Sequence, residues 1–262
     1  MDLQTLTFNV TDHIATITLN RPEAVNAMNR RFMQELFAVA CRCDSDDDIR
    51  AVILTGAGRF FSAGGDLKEF AEQGDDLPGY VTELATFLHA AVTRLQRMNA
   101  PLIVAVNGMA AGGGLSLVSA GDQVIAGESA AFTCAYTNAG ITPDGSSTYF
   151  LAKHIGLLRA KELVLTNRRL SAAEALDWGL VSQVVSDDQL LVEAMAMAKV
   201  FANGPTQAYG GAKRLLLSAF SGSLETQLEE ESASITRMAR SHDGREGIDA
   251  FANRRTPNFK GI

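Results

Sequence analysis

The chain has 262 residues, 47% hydrophobic and 20% charged, with a formal net charge of -7. That suits one large globular domain, or a domain with an appendage, around a sizeable core. The acidic balance, with both signs interspersed, argues against a nucleic-acid partner and a basic membrane-binding face, though not against a local basic pocket.

The N-terminal MDLQTLTFNV has no basic segment followed by an apolar one, so no signal peptide is expected. The three cysteines, Cys41, Cys43 and Cys134, are an odd, low count that suits a reducing, cytoplasmic location. CRC is too tight for structural zinc and has no His/Cys cluster beside it, so no metal site is expected. LTFNVTDHIATITLN alternates on both sides of TDH and predicts a hairpin. NAMNRRFMQELFAVACRCDSDDD predicts an amphipathic helix, RAVILTG a buried strand, and GAGRFFSAGGDL a loop. In YVTELATFLHAAVTRLQRM, Val81, Leu84, Leu88, Val92 and Leu95 recur at helical spacing. PLIVAVNG predicts a strand running into Gly112–Gly114, with a helix from about Gly113. The surrounding apolar run approaches membrane-spanning length, but Asn107 and four glycines interrupt it.

QVIAG predicts a further strand. Ser171 and Glu174 form a capping box, Gly179 a helix stop, and a strand follows. From about residue 187 the pattern is helical. SLETQLEEESASITRMARS has acids early and Arg237 and Arg240 late, which suits the helix dipole. Asp243 and Glu246 predict a second capping box. Alternating strands and helices followed by helices alone imply an α/β core over residues 1–200 and a helical region over 201–262.

A strand entering a glycine-rich turn and then a helix makes a site for negative charge. No Lys-Ser/Thr follows the glycines, so this is not a P-loop, and the spacing is not that of a dinucleotide fingerprint. The remaining use is an oxyanion hole, with SAGGDL as the second loop supplying an N–H. Tight turns beside a packed core explain the same glycines, and the residues alone leave both open.

The stretches LNRPEAVNAMN, FSAGGDLKE, PLIVAVNGMAAGGGLSL, GITPDGSSTYFL, LTNRRLSAAEALDWGLVSQVV and EGIDAFANRRTPNFKG occur in this order. Together they resemble the crotonase (enoyl-CoA hydratase/isomerase) superfamily over essentially the full chain. The resemblance implies an α/β crotonase (ClpP-like) spiral of ββα units, with a C-terminal helical trimerisation region. It implies a homotrimer or hexamer and an acyl-CoA thioester substrate. It also implies that the N–H groups of Gly65 and Gly113 polarise the thioester carbonyl. No cofactor is expected beyond the coenzyme A of the substrate.

Hydratases of the familiar type hold a water between two glutamates. Ser116 and Tyr136 occupy those positions here, so the two-glutamate pattern is absent. Asp144, in TPDGSS, stands where related acyl-CoA isomerases carry their base. An N-cap role before the following helix is its alternative. The expected reaction is a 1,3-proton shift with Asp144 as base and His89 and Tyr136 shaping the pocket. Ser116 could hold a water, which keeps an atypical hydratase in view.

His89 with Asp144 also resembles 4-chlorobenzoyl-CoA dehalogenase, with the aspartate as nucleophile and the histidine activating water. Gly65 and Leu88 stand where that enzyme has aromatic rings, which removes stacking surface for an aryl group. For coenzyme A, the resemblance points to Ala24, Ala63, Asp66 and Leu67 around the adenine, and to Phe259 and Lys260 from the same or a neighbouring subunit. Arg21 and Lys260 could meet phosphates; a solvated surface is equally expected for Arg21. A non-enzymatic acyl-CoA- or RNA-binding scaffold is the remaining class. Asp144 and both glycine loops argue against a dead site, and the acidic balance argues against RNA.

Overall fold

Strands β1 (Leu6–Thr11) and β2 (Ile14–Leu19) pair antiparallel in a computed structural model that describes residues 2–262. Asp12 and His13 turn the hairpin with φ of 52° and 64°. Two left-handed residues match the right-handed twist of the flanking strands. Helix α1 (Arg30–Ser45) follows, with the Asn29 side chain accepting from the Phe32 N–H and Phe32, Leu36, Val39 and Ala40 turned inward.

Three strand–strand–helix turns then build the spiral. They are β3 (Ala51–Gly56), β4 (Phe60–Ser62) with α2 (Leu67–Glu72) and α3 (Leu77–Arg97); β5 (Leu102–Val106), β6 (Met109–Ala111) with α4 (Gly113–Ser119); and β7 (Gln123–Gly127), β8 (Ala131–Thr133) with α5 (Ser147–Ile155) and α6 (Leu157–Thr166). In each turn the first strand joins one sheet and the second strand another. The larger sheet runs β1-β2-β3-β5-β7-β10, where β10 is Gln183–Val185, and the smaller β4-β6-β8-β9, where β9 is Leu170–Ser171. Strand β9 (Leu170–Ser171), helix α7 (Ala172–Trp178) and strand β10 (Gln183–Val185) complete the sheets. The links β2–β3, β3–β5, β5–β7 and β7–β10 are all parallel. Strand β5 is buried throughout, as expected of a parallel strand covered on both faces.

One face of the larger sheet packs through Val52, Leu54, Val104 and Val106 into a core that includes α1 and α3. Its other face packs Ile53, Ile103 and Ile125 against Ala194, Ala198 and Ala202 of α8 (Leu190–Ala202). Small residues on α8 let helix and sheet approach closely. After α8 come α9 (Thr206–Ser218), α10 (Leu224–Arg240) and α11 (His242–Ala252). The described residues contain no helix long and apolar enough to cross a membrane.

The Ser171–Glu174 capping box forms, and Gly179 ends α7 with φ 81°. The second expected box, Asp243 with Glu246, does not. Helix α11 starts earlier, and Ser241 caps it by accepting from the Gly244 N–H at 2.9 Å. Asp243 is buried and accepts from the Lys260 and Gly261 N–H groups at 2.7 and 2.6 Å. Glu246 pairs with Arg255. The carboxylates were available, but the C-terminal tail offered them better donors than the helix start.

Candidate active site

A cavity of about 490 Å³ opens between the two glycine loops, α3 and the segment before α5. Ala63, Gly65 and Leu67 line it from one loop, and Gly112 and Gly113 from the other. Met28, Met33, Phe70, Val81, Leu84 and Leu88 supply apolar wall, and Tyr136 and Ile141 to Asp144 close the far side. Asp144 is the only charged residue among them.

The loops are held by short backbone contacts. The Met28 N–H donates to Gly64 O at 2.7 Å, and the Asp66 N–H donates to Met28 O at 3.1 Å. Between those two bonds the Gly65 N–H has no protein acceptor among the described residues. Gly113 opens α4, so its N–H has no intrahelical partner, and no other acceptor among the described residues takes it. The glycines flanking Gly113 have separate reasons to be glycine. Gly112 adopts φ 51° and ψ -123°, outside the regions open to L side chains. A Cβ on Gly114 would stand 2.5 Å from Ser62 O, so α4 could not sit on β4.

Buried Asn26 ties this loop region together. Its amide donates to Ala57 O, Phe60 O and Phe61 O, and its Oδ1 accepts from the Arg21 N–H. Its role was invisible in the sequence, because its acceptors are main-chain atoms more than thirty residues away. Phe70 was missed for a related reason. It lies one turn into α2, and its ring packs against Gly65 and edge-on to Tyr80, with centroids 5.8 Å apart. The pocket therefore has an aromatic wall at Phe70 besides Tyr136 on its far side.

Asp144 and His89 come together. His89 Nε2 hydrogen-bonds Asp144 Oδ1, with the proton carried on Nε2 toward the carboxylate. The Asp144 side chain does not cap α5: that helix starts after Ser146, which makes no side-chain cap. Nor is the carboxylate enclosed by apolar surface, since 34% of its side chain is exposed.

Ser116 and Tyr136 also meet, with their oxygens 3.0 Å apart, behind Asp144. Burial pushes the Tyr136 phenol up, so it stays protonated. Ser116 is fully buried and donates at 2.7 Å to the Asp144 main-chain carbonyl. Its hydroxyl proton is thereby directed inside the protein.

The residues expected around coenzyme A separate into three groups. Ala63 and Leu67 line the cavity, and Ala24 lies beside them through the Ala63 N–H to Val25 O bond of 3.0 Å. Arg21 is not simply solvated: Nη1 donates to Ala27 O at 2.6 Å and pairs with Asp66 at 3.1 Å. Asp66 also caps α2. Phe259 and Lys260 lie in the C-terminal tail, where Phe259 packs beside Gly247 at a different cavity. This chain's own fold does not bring them to the site. No group of three or more His, Cys, Asp or Glu among the described residues is placed to hold a metal.

The family profile described as enoyl-CoA hydratase/isomerase matches residues 9–262. The 1,2-epoxyphenylacetyl-CoA isomerase of Escherichia coli K12 is 39% identical over 249 residues, 95% of each chain. A 4-chlorobenzoyl coenzyme A dehalogenase from Arthrobacter sp. is 36% identical over 84% of this chain and 80% of its own. The crystal structure of an enoyl-CoA hydratase from Bacillus anthracis superposes with a TM-score of 0.92 at 34% identity, covering 99% of this chain and 100% of that one. The chain belongs to the enoyl-CoA hydratase/isomerase family and is an acyl-CoA enzyme of the crotonase fold.

Proposed function

We propose that this enzyme isomerises enoyl-CoA thioesters by a 1,3-proton shift, with Asp144 as the single base. The observation that carries this is the lone carboxylate: Asp144 is the only acid lining the cavity that also exposes the Gly65 and Gly113 backbone. Asp144 takes a proton from the carbon next to the thioester or beyond the double bond. The electron pair moves onto the thioester oxygen, where the two N–H groups hold the dienolate. Asp144 then returns a proton to the other carbon, and the double bond has moved with no net gain or loss of atoms. Donors aimed at the developing charge are each worth roughly 100- to 1,000-fold in rate.

Asp144→Asn tests this. It keeps shape and loses the basic oxygen, so isomerisation and deuterium wash-in should fall together by about 100- to 10,000-fold. Full activity in the variant would overturn the reading.

The His89–Asp144 hydrogen bond favours a second reading, hydrolysis through an Asp144 ester with His89 activating water. Chloride release from 4-chlorobenzoyl-CoA without isomerisation of any enoyl-CoA would select it. In either reading coenzyme A belongs to the substrate, Ala24, Ala63 and Leu67 flank the adenine, and no separate cofactor takes part. The assembly proposed is a homotrimer or a dimer of trimers. A reducing cytoplasm suits the free thiols Cys41, Cys43 and Cys134.

A further inference from the structure

Taking Asp144 as the reacting carboxylate, we infer that Ser116 and Tyr136 are positioning residues. They form a hydroxyl clamp that fixes the main chain of Asp144 and so aims its carboxylate at the cavity and at His89.

The clamp closes on one atom. Asp144 O accepts from Ser116 Oγ at 2.7 Å, Ser147 Oγ at 3.0 Å and the Ser147 N–H at 3.3 Å, and Tyr136 OH stands 3.3 Å from the same oxygen. Ser116 and Tyr136 also bond to each other. With the phenol protonated, the protons run in one direction, from Tyr136 to Ser116 and from Ser116 to the carbonyl.

The backbone there needs holding. Gly145 and Ser146 are consecutive left-handed residues, with φ of 63° and 75°. The second is a conformation L side chains rarely adopt. The turn is also wedged: a Cβ on Gly145 would stand 2.7 Å from Leu88 Cδ2 and 3.0 Å from Ser116 Cβ. Helix α3 thus presses Leu88 on the turn and brings His89 to the carboxylate, while α4 grips the carbonyl from the other side. With the clamp removed, the turn can relax toward ordinary φ and carry the carboxylate with it. The same bonds use up the Ser116 proton behind Asp144, which leaves the site suited to one-carboxylate chemistry.

The test compares Tyr136→Phe, Ser116→Ala and the double variant with wild type. Each single variant should lower kcat for enoyl-CoA isomerisation by about 10- to 100-fold with KM within about twofold, because a small displacement of a reacting group costs rate rather than binding. The double variant should lose little more, since the hydroxyls act as one chain. A readout independent of turnover is the His89 ring resonance, identified by its loss in His89→Gln. It should move in both single variants toward its position in Asp144→Asn. If kcat and the His89 resonance both stay at wild-type values, the clamp is overturned. If no enoyl-CoA is turned over but the resonance moves, the isomerase reading fails and the clamp stands. Should Ser116→Ala not fold, Tyr136→Phe decides alone, because it keeps the ring and removes one oxygen.

Discussion

His89 and Asp144 stand 55 residues apart in the chain and are joined side chain to side chain. One comes from the middle of α3, the other from the turn that precedes α5. Asp144 lines the cavity, and the imidazole reaches its carboxylate without being part of the cavity wall.

That geometry separates the two chemistries. In proton transfer His89 touches no reacting atom, and Gln can still donate to the carboxylate. His89→Gln should therefore keep isomerisation within about tenfold of wild type. It should also form no covalent adduct with 4-chlorobenzoyl-CoA by intact-protein mass. A trapped adduct would move the assignment to Asp144 as nucleophile.

The acyl group should carry no charge. Apart from Asp144 the cavity wall has no ionised side chain, so a terminal carboxylate would be buried without a cation and near a like charge. Enoyl-CoAs ending in a carboxylate should show kcat/KM lower by on the order of 100-fold or more than methyl-ended ones of equal length. Equal rates across such a pair would show that the chain end lies in solvent.

Gly114→Ala should damage both loops at once. The new Cβ at 2.5 Å from Ser62 O forces α4 away from β4, and with it Gly113 from Gly65. Urea unfolding should show a loss of about 1–3 kcal/mol. Acyl-CoA turnover should fall further than that loss explains.

Glu35 sets an acid limit on stability. Burial by itself raises its carboxyl, but donors from Arg31, Thr5 and Gln4 outweigh that and hold it below the ordinary carboxylate range. A depressed folded value means the contribution is complete above the unfolded value of about 4.3 and is lost as pH falls through the folded one. Glu35→Gln should cost about 1–3 kcal/mol at neutral pH. The gap to wild type in urea unfolding should narrow as pH falls below the ordinary carboxylate range. A gap that stays constant with pH would show that the donors act only by shape.

The C-terminal helices leave apolar surface uncovered. Helix α10 buries no residue, while Leu224, Leu228 and Ile235 are exposed on it and Phe251 on α11. Patches of this kind mark interfaces. Sedimentation should show a species of three or six chains, each of 28.0 kDa, and Leu228→Lys with Ile235→Lys should shift it toward one chain. A wild-type profile of single chains alone would refute the assembly.

The hairpin at Asp12 and His13, the inward face of α3, the Ser171–Glu174 box and the stop at Gly179 were all legible in the sequence. Each depends on residues a few positions apart, where side-chain period and turn chemistry decide the outcome. The glycine loops were legible as a strand, a tight turn and a helix start, and their motifs named the family. Other features required the folded chain. Arg21 turned to Asp66 rather than to an open surface, Asp243 to the C-terminal tail rather than to its helix start, and Ser116 and Tyr136 to one carbonyl. A polar side chain takes whichever partner the packing brings within about 3 Å. Across tens of residues, that partner is chosen by how helices close on the sheets, which no local pattern encodes.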